Sequence, residues 1–255
     1  MSALHLDING PVAELRLDNP AKLNALSISM LNELDDHCAQ LEQEDGVRVV
    51  LLSAQGDRAF CVGADIDAWA DLPAARFARN WVREGHRIFD RLARLFQPTI
   101  ALVNGFAFGG GLELAAACDI RILAPHASFA LPEPSIGIAP GWSGTQRLQR
   151  LLPEPVIREM ALFGHRLGAK RACQLGFAAQ ISNDPRTAAQ ERVEAVLKQS
   201  PRALEISKYM LNAGAGEDSA ALIEALGGGM IAASNDKHEG VNAFKQKRKP
   251  EFPGT

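Results

Sequence analysis

Several compositional extremes are absent from this chain, and each absence excludes a class of protein. Its 255 residues include 30 acidic and 27 basic side chains, which give a net charge of −3 and a pI near 6.1. This balance argues against a general nucleic-acid-binding protein, because such proteins normally carry a basic excess. A content of 47% hydrophobic and 22% charged residues is typical of a folded globular protein and excludes a disordered chain.

The chain has few cysteines, and their spacing excludes two kinds of site. Cys38, Cys61, Cys118 and Cys173 lie far apart in the sequence. Because no CxxC pair exists, neither a zinc ribbon nor a thioredoxin-type redox motif is expected. The first residues also lack the basic and apolar regions of a signal peptide, so we expect reduced thiols and a cytoplasmic location.

Common nucleotide-binding, hydrolase and metal motifs are also missing. The chain has no GxxxxGK[ST] sequence, and residues 105–111 do not fit GxGxxG, so neither a P-loop nor a Rossmann fingerprint is present. Residues 141–145 approach the hydrolase motif GxSxG but end in Thr145. The six histidines show no ligand spacing, so no metal site is expected.

The most apolar stretch of the chain is too interrupted to cross a membrane. Residues 100–118 contain Asn104, Glu113 and four glycines. We therefore expect a buried strand, a glycine turn and a helix in this stretch, and no membrane association.

Hydrophobic periodicity predicts an α/β fold that is followed by helices. Apolar residues alternate on both sides of Asn9-Gly10, which is a hairpin signal. The pattern then predicts strands at 47–52, 99–103 and 120–123, helices at 27–44 and 73–96, and a turn into a helix at 109–118. Alternating strands and helices indicate largely covered sheets. After about residue 180 the chain is helical, and the predicted helices are 186–199, 201–212 and 219–233.

Three glycine-rich segments each carry a carboxylate: residues 59–66 with Asp65, 104–115 with Glu113, and 129–141 with Glu133. The glycine triplet 109–111 would expose backbone N–H groups at a helix start, a place suited to an anion or oxyanion. Burial of Glu113 in its apolar helix would raise its pKa unless it is paired. Structural roles stay open at this point: the triplet as a tight turn, both glutamates as solvent-exposed acids, and Asp65 as a helix N-cap.

Taken together and in order, these segments resemble the enoyl-CoA hydratase/isomerase (crotonase) family. The motifs that carry the resemblance are KLNAL at 22–26, FCVGADI at 60–66, GGGLELA at 109–115 with Cys118-Asp119, and LPEPSIGIAPGWSGTQRL at 131–148. The resemblance spans essentially the whole chain, including residues 244–250. It is specific for the family and less specific for the reaction, since the family carries out many chemistries.

The resemblance implies a fold and an assembly. The family fold is a spiral of β-β-α units, followed by C-terminal helices that build trimers, commonly stacked as hexamers. We therefore expect an α/β core at 1–190 that holds the active site, and a helical region at 191–255 that serves oligomerisation and covers CoA. A homotrimer or homohexamer acting on an acyl-CoA thioester is expected, with no cofactor besides the CoA of the substrate.

By resemblance, four residues carry the catalysis. The thioester oxygen would sit between the backbone N–H groups of Ala64 and Gly110, and one such oxyanion donor is typically worth about 3–4 kcal/mol. Glu113 and Glu133 match the two glutamates that hold the water in the hydratases. Glu113 would take the water proton as oxygen attacks C3, and Glu133 would supply a proton to C2.

Other residues match binding positions of the family. The Gly141 N–H would help to hold the water, while Asp65, Ile66 and the Leu23–Ala25 segment would line the adenine and pantetheine of CoA. Lys247 would reach CoA phosphates, although a basic residue is also favoured at a helix C-terminus for structural reasons.

The chain departs from the family pattern at two places. Pro134 follows Glu133 where a branched aliphatic residue is common, and Trp142-Ser143 stands where small residues are usual. Trp142 is therefore expected either to alter the acyl end of the pocket or to pack as a helix-start residue.

The resemblance favours an enoyl-CoA hydratase of fatty-acid metabolism, a lyase that adds water syn to a trans-2-enoyl-CoA and gives a 3-hydroxyacyl-CoA. Both glutamates are present, which favours this reaction. A Δ3,Δ2-enoyl-CoA isomerase, which needs mainly Glu133, and another acyl-CoA reaction of the family remain alternatives. An RNA-binding homologue is the alternative from another class, and the acidic balance argues against it.

Overall fold

The computed structural model describes residues 2–217 and 219–255, and the predicted hairpin forms its first element. Strands β1 (Ala3–Asn9) and β2 (Val12–Asp18) pair antiparallel, with Asn9 opposite Val12. Gly10 has a φ of +58°, a conformation that the two-residue turn requires and that glycine adopts freely.

Parallel strands extend this hairpin into the larger of two sheets. They are β3 (Val49–Ala54), β5 (Thr99–Val103), β7 (Ile120–Leu123) and β10 (Gln180–Ile181), and the sheet order is β1-β2-β3-β5-β7-β10. Alternate side chains of a strand point to opposite faces. Val50 and Leu52 therefore join the main core, while Val49 and Leu51 join a cluster that contains Ala189.

Short strands build the smaller sheet. They are β4 (Ala59–Cys61), β6 (Phe106–Phe108), β8 (Ser128–Ala130) and β9 (Leu167–Gly168). β4, β6 and β8 are parallel to one another, and β9 pairs antiparallel with β8. Their carboxyl ends therefore meet at one edge of the sheet, which is where open α/β sheets place their ligands.

Helices cover both sheets. They are α1 (Ile28–Leu41), α2 (Ala74–Arg76), α3 (Arg83–Arg94), α4 (Gly110–Ala116), α5 (Leu148–Leu151), α6 (Glu154–Phe163), α7 (Ala169–Gln174) and α8 (Pro185–Leu197). A π-helical stretch, Phe77–Val82, joins α2 to α3. The apolar faces of α1 and α3 pack into the main core, and α8 lies on the opposite face of the larger sheet.

The chain divides into two compact units, residues 2–204 and 205–255. The second unit contains most of α9 (Pro201–Gly214) together with α10 (Ser219–Ala232) and α11 (Asn235–Gln246). The division expected from the sequence, at residue 190, falls inside α8, whose Ala189 is buried against the larger sheet.

The predicted α/β class with trailing helices is confirmed. The long strands and helices lie where the periodicity placed them, within a few residues. Within residues 2–217 and 219–255, no helix combines the length and apolar character needed to cross a bilayer.

Candidate active site

The three glycine-rich segments meet because each of them follows one strand of the smaller sheet. Residues 62–66 follow β4, residues 109–113 follow β6, and residues 131–136 follow β8. The three strands are adjacent and parallel. Segments that are well separated in the sequence are thereby brought to one edge of the sheet.

A cavity of about 240 Å³ lies at this edge. Its wall is largely apolar and aromatic, and it includes Ile66, Trp69, Phe77, Trp81, Ile136, Ile138 and Trp142. The polar groups in it are few: backbone of the glycine-rich segments and the carboxyl groups of Glu113 and Glu133. An apolar cavity with a small set of convergent polar groups is the usual form of a small-molecule site.

Glu113 is held in the first turn of α4 with its carboxylate inside the protein. The residue is 2% exposed, so the solvent-exposed alternative is wrong. Its Oε1 accepts hydrogen bonds from the N–H groups of Trp142 (2.8 Å) and Gly144 (2.7 Å). Burial and then the nearby Glu133 charge raise the pKa of Glu113 to about 7, against the lowering effect of these two N–H donors.

The turn at residues 141–144 is shaped around the Glu113 carboxylate. Ser143 has a φ of +84°, which turns the N–H groups before and after it towards the same oxygen, as in an anion-binding nest. A Cβ on Gly144 would lie 2.6 Å from Glu113 Oε1, so a side chain at that position would displace the carboxylate. The Ser143 hydroxyl lies 3.3 Å from His86 Nδ1 on α3.

Glu133 lies beside the start of α4 and is also buried, at 7% exposed, so the exposed-acid alternative is wrong here too. Burial raises the pKa of its carboxyl group. Its Oε2 has no hydrogen-bond partner among the residues that the structure describes, and buried polar atoms are rarely left in that state. A Cβ on Gly109 would lie 2.8 Å from Oε1 of Glu133, so the first glycine of the triplet makes room for this carboxyl group.

Backbone N–H groups of two segments border the cavity near these carboxyl groups. The N–H of Leu26 bonds to Gly63 O, and the N–H of Asp65 bonds to Leu26 O. Because successive N–H groups of an extended chain point to opposite sides, the N–H of Ala64 points away from Leu26. Gly110 is the first residue of α4, where an N–H has no carbonyl one turn earlier to bind. The site of a Cβ on Gly110 is 3.5 Å from Gly63 Cα, so the two backbones are in contact.

Trp142 is packed and lines the cavity, but it does not start a helix as one expectation had it, because α5 begins only at Leu148. It is 4% exposed and borders the cavity with Gly141 and Ile66. Its indole contacts Trp81 and Phe89, with ring centroids 5.0 Å and 5.2 Å away.

Of the residues predicted to bind the CoA moiety, Ile66 lines this cavity, whereas Leu23–Ala25 and Asp65 are not part of its wall. Leu23–Ala25 is held by Asn24, whose buried amide donates to Gln55 O and Ala59 O, and Leu23 borders a smaller cavity. Asp65 is paired with Lys22 at 2.7 Å and caps a short 3-10 helix, Ile66–Ala68, which confirms its role as a helix N-cap. Lys247 is the C-cap of α11 in the second unit.

Sequence reasoning missed Phe77 and Trp81 of the π-helical stretch, Gly85, and the contact between Ser143 and His86. These residues carry no motif. Phe77 and Trp81 are identified by their place in the cavity wall, Gly85 by the room it leaves for the Trp142 indole, and the Ser143–His86 pair by its contact in the folded chain. Among residues 2–217 and 219–255, no group of three or more His, Cys, Asp or Glu side chains is arranged to hold a metal ion.

Comparisons with known proteins agree with the geometry. The family model described as enoyl-CoA hydratase/isomerase matches residues 7–255. A short-chain-enoyl-CoA hydratase of Clostridium acetobutylicum is 33% identical over 96% of this chain and 95% of its own length. A crotonyl-CoA hydratase of Syntrophomonas wolfei is 34% identical over 94% of each chain.

Solved structures have the same fold. An enoyl-CoA hydratase from Bacillus anthracis superposes with a TM-score of 0.80 at 32% identity, covering 99% of both chains. The Pseudomonas aeruginosa protein DspI superposes with a TM-score of 0.81 at 32% identity, covering 98% of this chain and 96% of its own.

Proposed function

Because the chain belongs to the enoyl-CoA hydratase/isomerase family, we propose that it is a hydro-lyase that adds water to a trans-2-enoyl-CoA. The product is a 3-hydroxyacyl-CoA. The observation that carries the proposal is the pair of buried carboxyl groups, Glu113 and Glu133, in one apolar cavity beside the backbone of Gly110. Relatives named short-chain-enoyl-CoA hydratase and crotonyl-CoA hydratase support the same reaction.

The hydrogen bonds of the two glutamates favour different protonation states. Two N–H donors stabilise the Glu113 carboxylate, whereas the buried Glu133 Oε2 has no hydrogen-bond partner and is better accommodated as a protonated carboxyl group. Glu113 therefore acts as the base and Glu133 as the acid.

The reaction then proceeds in balanced steps. Water held between the carboxyl groups gives a proton to Glu113 while its oxygen bonds to C3. The electrons of the C2–C3 double bond move towards the thioester oxygen, whose negative charge is stabilised by the N–H groups of Ala64 and Gly110. Glu133 then protonates C2 on the same face, which gives syn addition, and a proton returns from Glu113 to Glu133 before the next turnover.

The remaining binding roles are part of the proposal. Leu23–Ala25, Asp65 and Ile66 bind the CoA moiety, Gly141 helps to hold the water, and Lys247 reaches CoA phosphates. No cofactor is needed beyond the CoA of the substrate. The protein acts in the cytoplasm as a homotrimer or a homohexamer.

A panel of trans-2-enoyl-CoA esters, from crotonyl-CoA upward, tests the reaction. Hydration removes the conjugated thioester chromophore, so its absorbance should fall with time. Conversion of a 3-enoyl-CoA, with no hydration of any 2-enoyl-CoA, would contradict the proposal and favour an isomerase.

A further inference from the structure

We propose, on the basis of the function given above, that the indole of Trp142 closes the acyl end of the cavity. The side chain would thereby restrict the enzyme to 2-enoyl-CoA esters of about crotonyl size. The cavity volume of about 240 Å³ agrees with a short acyl group, since pockets for drug-sized ligands usually measure about 300–1,000 Å³.

The ring is fixed between α3 and the first turn of α4. Trp142 Nε1 donates a hydrogen bond to Trp81 O over 3.2 Å, and Phe89 packs on the ring at a centroid distance of 5.2 Å. On the other side, Cε3 and Cζ3 of the indole lie 2.9 Å from the place where a Cβ of Gly110 would be. The ring therefore has little freedom to move aside for a longer acyl chain.

This position places the indole next to the reacting carbons. The proposed oxyanion donor Gly110 contacts the ring, and the backbone N–H of Trp142 holds Glu113, the base that activates water at C3. The CoA moiety is far larger than the cavity and extends outward, so the acyl chain points inward. Trp142 and Trp81, at 4% and 7% exposed, form the buried wall that the chain meets.

Gly85 of α3 supports this assignment because it makes room for the ring. A Cβ at this position would collide with Nε1, Cε2 and Cδ1 of Trp142. Glycine inside a helix is unfavourable relative to alanine, so helix propensity gives no reason for it. The need to make room for the indole explains why residue 85 is glycine.

The first experiment compares acyl-chain preference in three variants. Trp142→Ala removes the ring but keeps the backbone N–H that donates to Glu113, and a loss of rate common to both substrates cancels in the ratio of their kcat/KM values. We expect kcat/KM for trans-2-octenoyl-CoA, relative to crotonyl-CoA, to rise at least about tenfold, the usual minimum effect of one methylene in an apolar pocket. Trp142→Met serves the same purpose if the alanine variant does not fold, and Trp142→Phe should keep the preference for crotonyl-CoA.

Binding of saturated thioesters separates this proposal from the reaction itself. Calorimetry with butyryl-CoA and octanoyl-CoA needs no turnover, so it reports on the acyl wall even if the enzyme hydrates nothing. We expect the wild type to favour butyryl-CoA and Trp142→Ala to lose that preference. Two outcomes would overturn the proposed role of Trp142: equal binding of both esters by the wild type, or an unchanged ratio in a folded Trp142→Ala or Trp142→Met variant. Neither outcome would contradict the proposed hydration reaction.

A second pair of variants tests the location of the ring. Gly85→Ala should lower Tm in the wild type, because the new Cβ displaces the indole. In the Trp142→Ala background the same change should leave Tm unchanged or raise it, since alanine favours the helix. An equal loss of Tm in both backgrounds would show that Gly85 does not accommodate the indole and would contradict the assignment.

Discussion

Glu113 and Glu133 share one apolar cavity, but their hydrogen bonds differ. Oε1 of Glu113 accepts two backbone N–H bonds, and Oε2 of Glu133 accepts none from the protein. Both pKa values are raised by burial, so the cavity resists carrying two negative charges. A pair that holds one charge and one proton is suited to remove a proton from water and deliver another to carbon.

The first prediction concerns removal of each carboxyl group. Glutamine keeps the size of glutamate and a carbonyl acceptor but does not exchange a proton. We expect Glu113→Gln and Glu133→Gln each to reduce the rate of crotonyl-CoA hydration by roughly 10²-fold or more. Because both groups act on one water, the double variant should lose much less than the product of the two single effects. Steady-state kinetics on folded variants measure this.

The same variants separate a hydratase from an isomerase. In an isomerase that shuttles one proton between C2 and C4, Glu133→Gln alone would be severe and Glu113→Gln would be mild. CoA binding and the circular dichroism spectrum serve as controls, and both should match the wild type. A folded Glu113→Gln variant with near-normal hydration would remove Glu113 from the mechanism.

The second prediction concerns stability against pH. The pKa of Glu113 is raised from 4.5 to about 7 in the folded protein. Between these pH values the folded chain keeps a proton that the unfolded chain has released, so the free energy of unfolding falls as pH rises. The difference amounts to roughly 3 kcal/mol. Glu113→Gln, which carries no charge, should therefore gain about that much relative to the wild type between pH 4.5 and pH 8.

Urea unfolding of both proteins across this range measures the effect. Taking the difference between wild type and variant cancels groups that titrate alike in the two proteins. Glu133 does not cancel, because its charge raises the pKa of Glu113, so the measured difference belongs to the pair of carboxyl groups. Parallel stability profiles would mean that Glu113 ionises in the folded state as easily as in the unfolded chain.

At the scale of elements, the second glycine of α4 fixes how closely this helix approaches β4. A Cβ on Gly111 would collide with the carbonyl group of Cys61, which is backbone and has little room to shift. Gly46 also lacks a positive φ, but apart from its two chain neighbours no described residue has an atom within 4 Å of its Cβ position. The two positions therefore form a matched pair for the same substitution.

The third prediction follows from this pair. Gly111→Ala should reduce the free energy of unfolding by about 1–3 kcal/mol, as overpacking usually does, and should lower activity because it shifts the N-terminal turn of α4. Gly46→Ala should be neutral or stabilise by up to about 1 kcal/mol. Chemical denaturation compares them, and similar stabilities for the two variants would contradict the close packing of α4 on β4.

The five longer strands of the larger sheet could be predicted from the sequence, whereas the two-residue strand β10 and the smaller sheet could not. Residues 100–103 form a continuous apolar run after the β-branched Thr99, which indicates a buried strand, and β5 occupies 99–103. In contrast, Phe106–Phe108 and Ser128–Ala130 are three residues long, too short to show a periodicity of two. Their pairing depends on contacts between distant segments, so no local pattern predicts it.

The candidate site could likewise be predicted only in part from the sequence. Glu113 and Glu133 could be selected from glycine-rich motifs, but their shared burial depends on how β6 and β8 pair. From the sequence alone, Gly85 is only a residue of poor helix propensity inside a predicted helix. Its reason for being there, the indole of Trp142, lies 57 residues further along the chain, and no local pattern links the two.

At the scale of the whole molecule, the second unit exposes large apolar side chains. Met210, Leu211, Ile223, Met230, Ile231 and Phe244 are all more than 60% exposed. Soluble proteins seldom expose many such residues together unless a partner covers them. These side chains support the proposed homotrimer or homohexamer.

The fourth prediction tests that assembly. Light scattering should give a mass three or six times the 27.4 kDa of one chain. Placing a charge on α10 with Met230→Asp and Ile231→Asp should shift the mass towards a single chain, because a buried unpaired carboxylate is costly. Met230→Leu, which keeps the apolar character, should leave the mass unchanged, and a wild type that runs as one chain would contradict the proposal.

The strand pairing of the larger sheet also determines the order in which this chain acquires its structure. The β1–β2 hairpin joins neighbours in the sequence and can form within about 1–10 μs. Every later pairing of that sheet is parallel and non-local, as with Val50 and Thr99, so it closes long loops and forms slowly. The cavity needs the segments that follow β4, β6 and β8 at once. A refolding chain should therefore regain hairpin hydrogen-exchange protection early, and the capacity to turn over substrate only at the end.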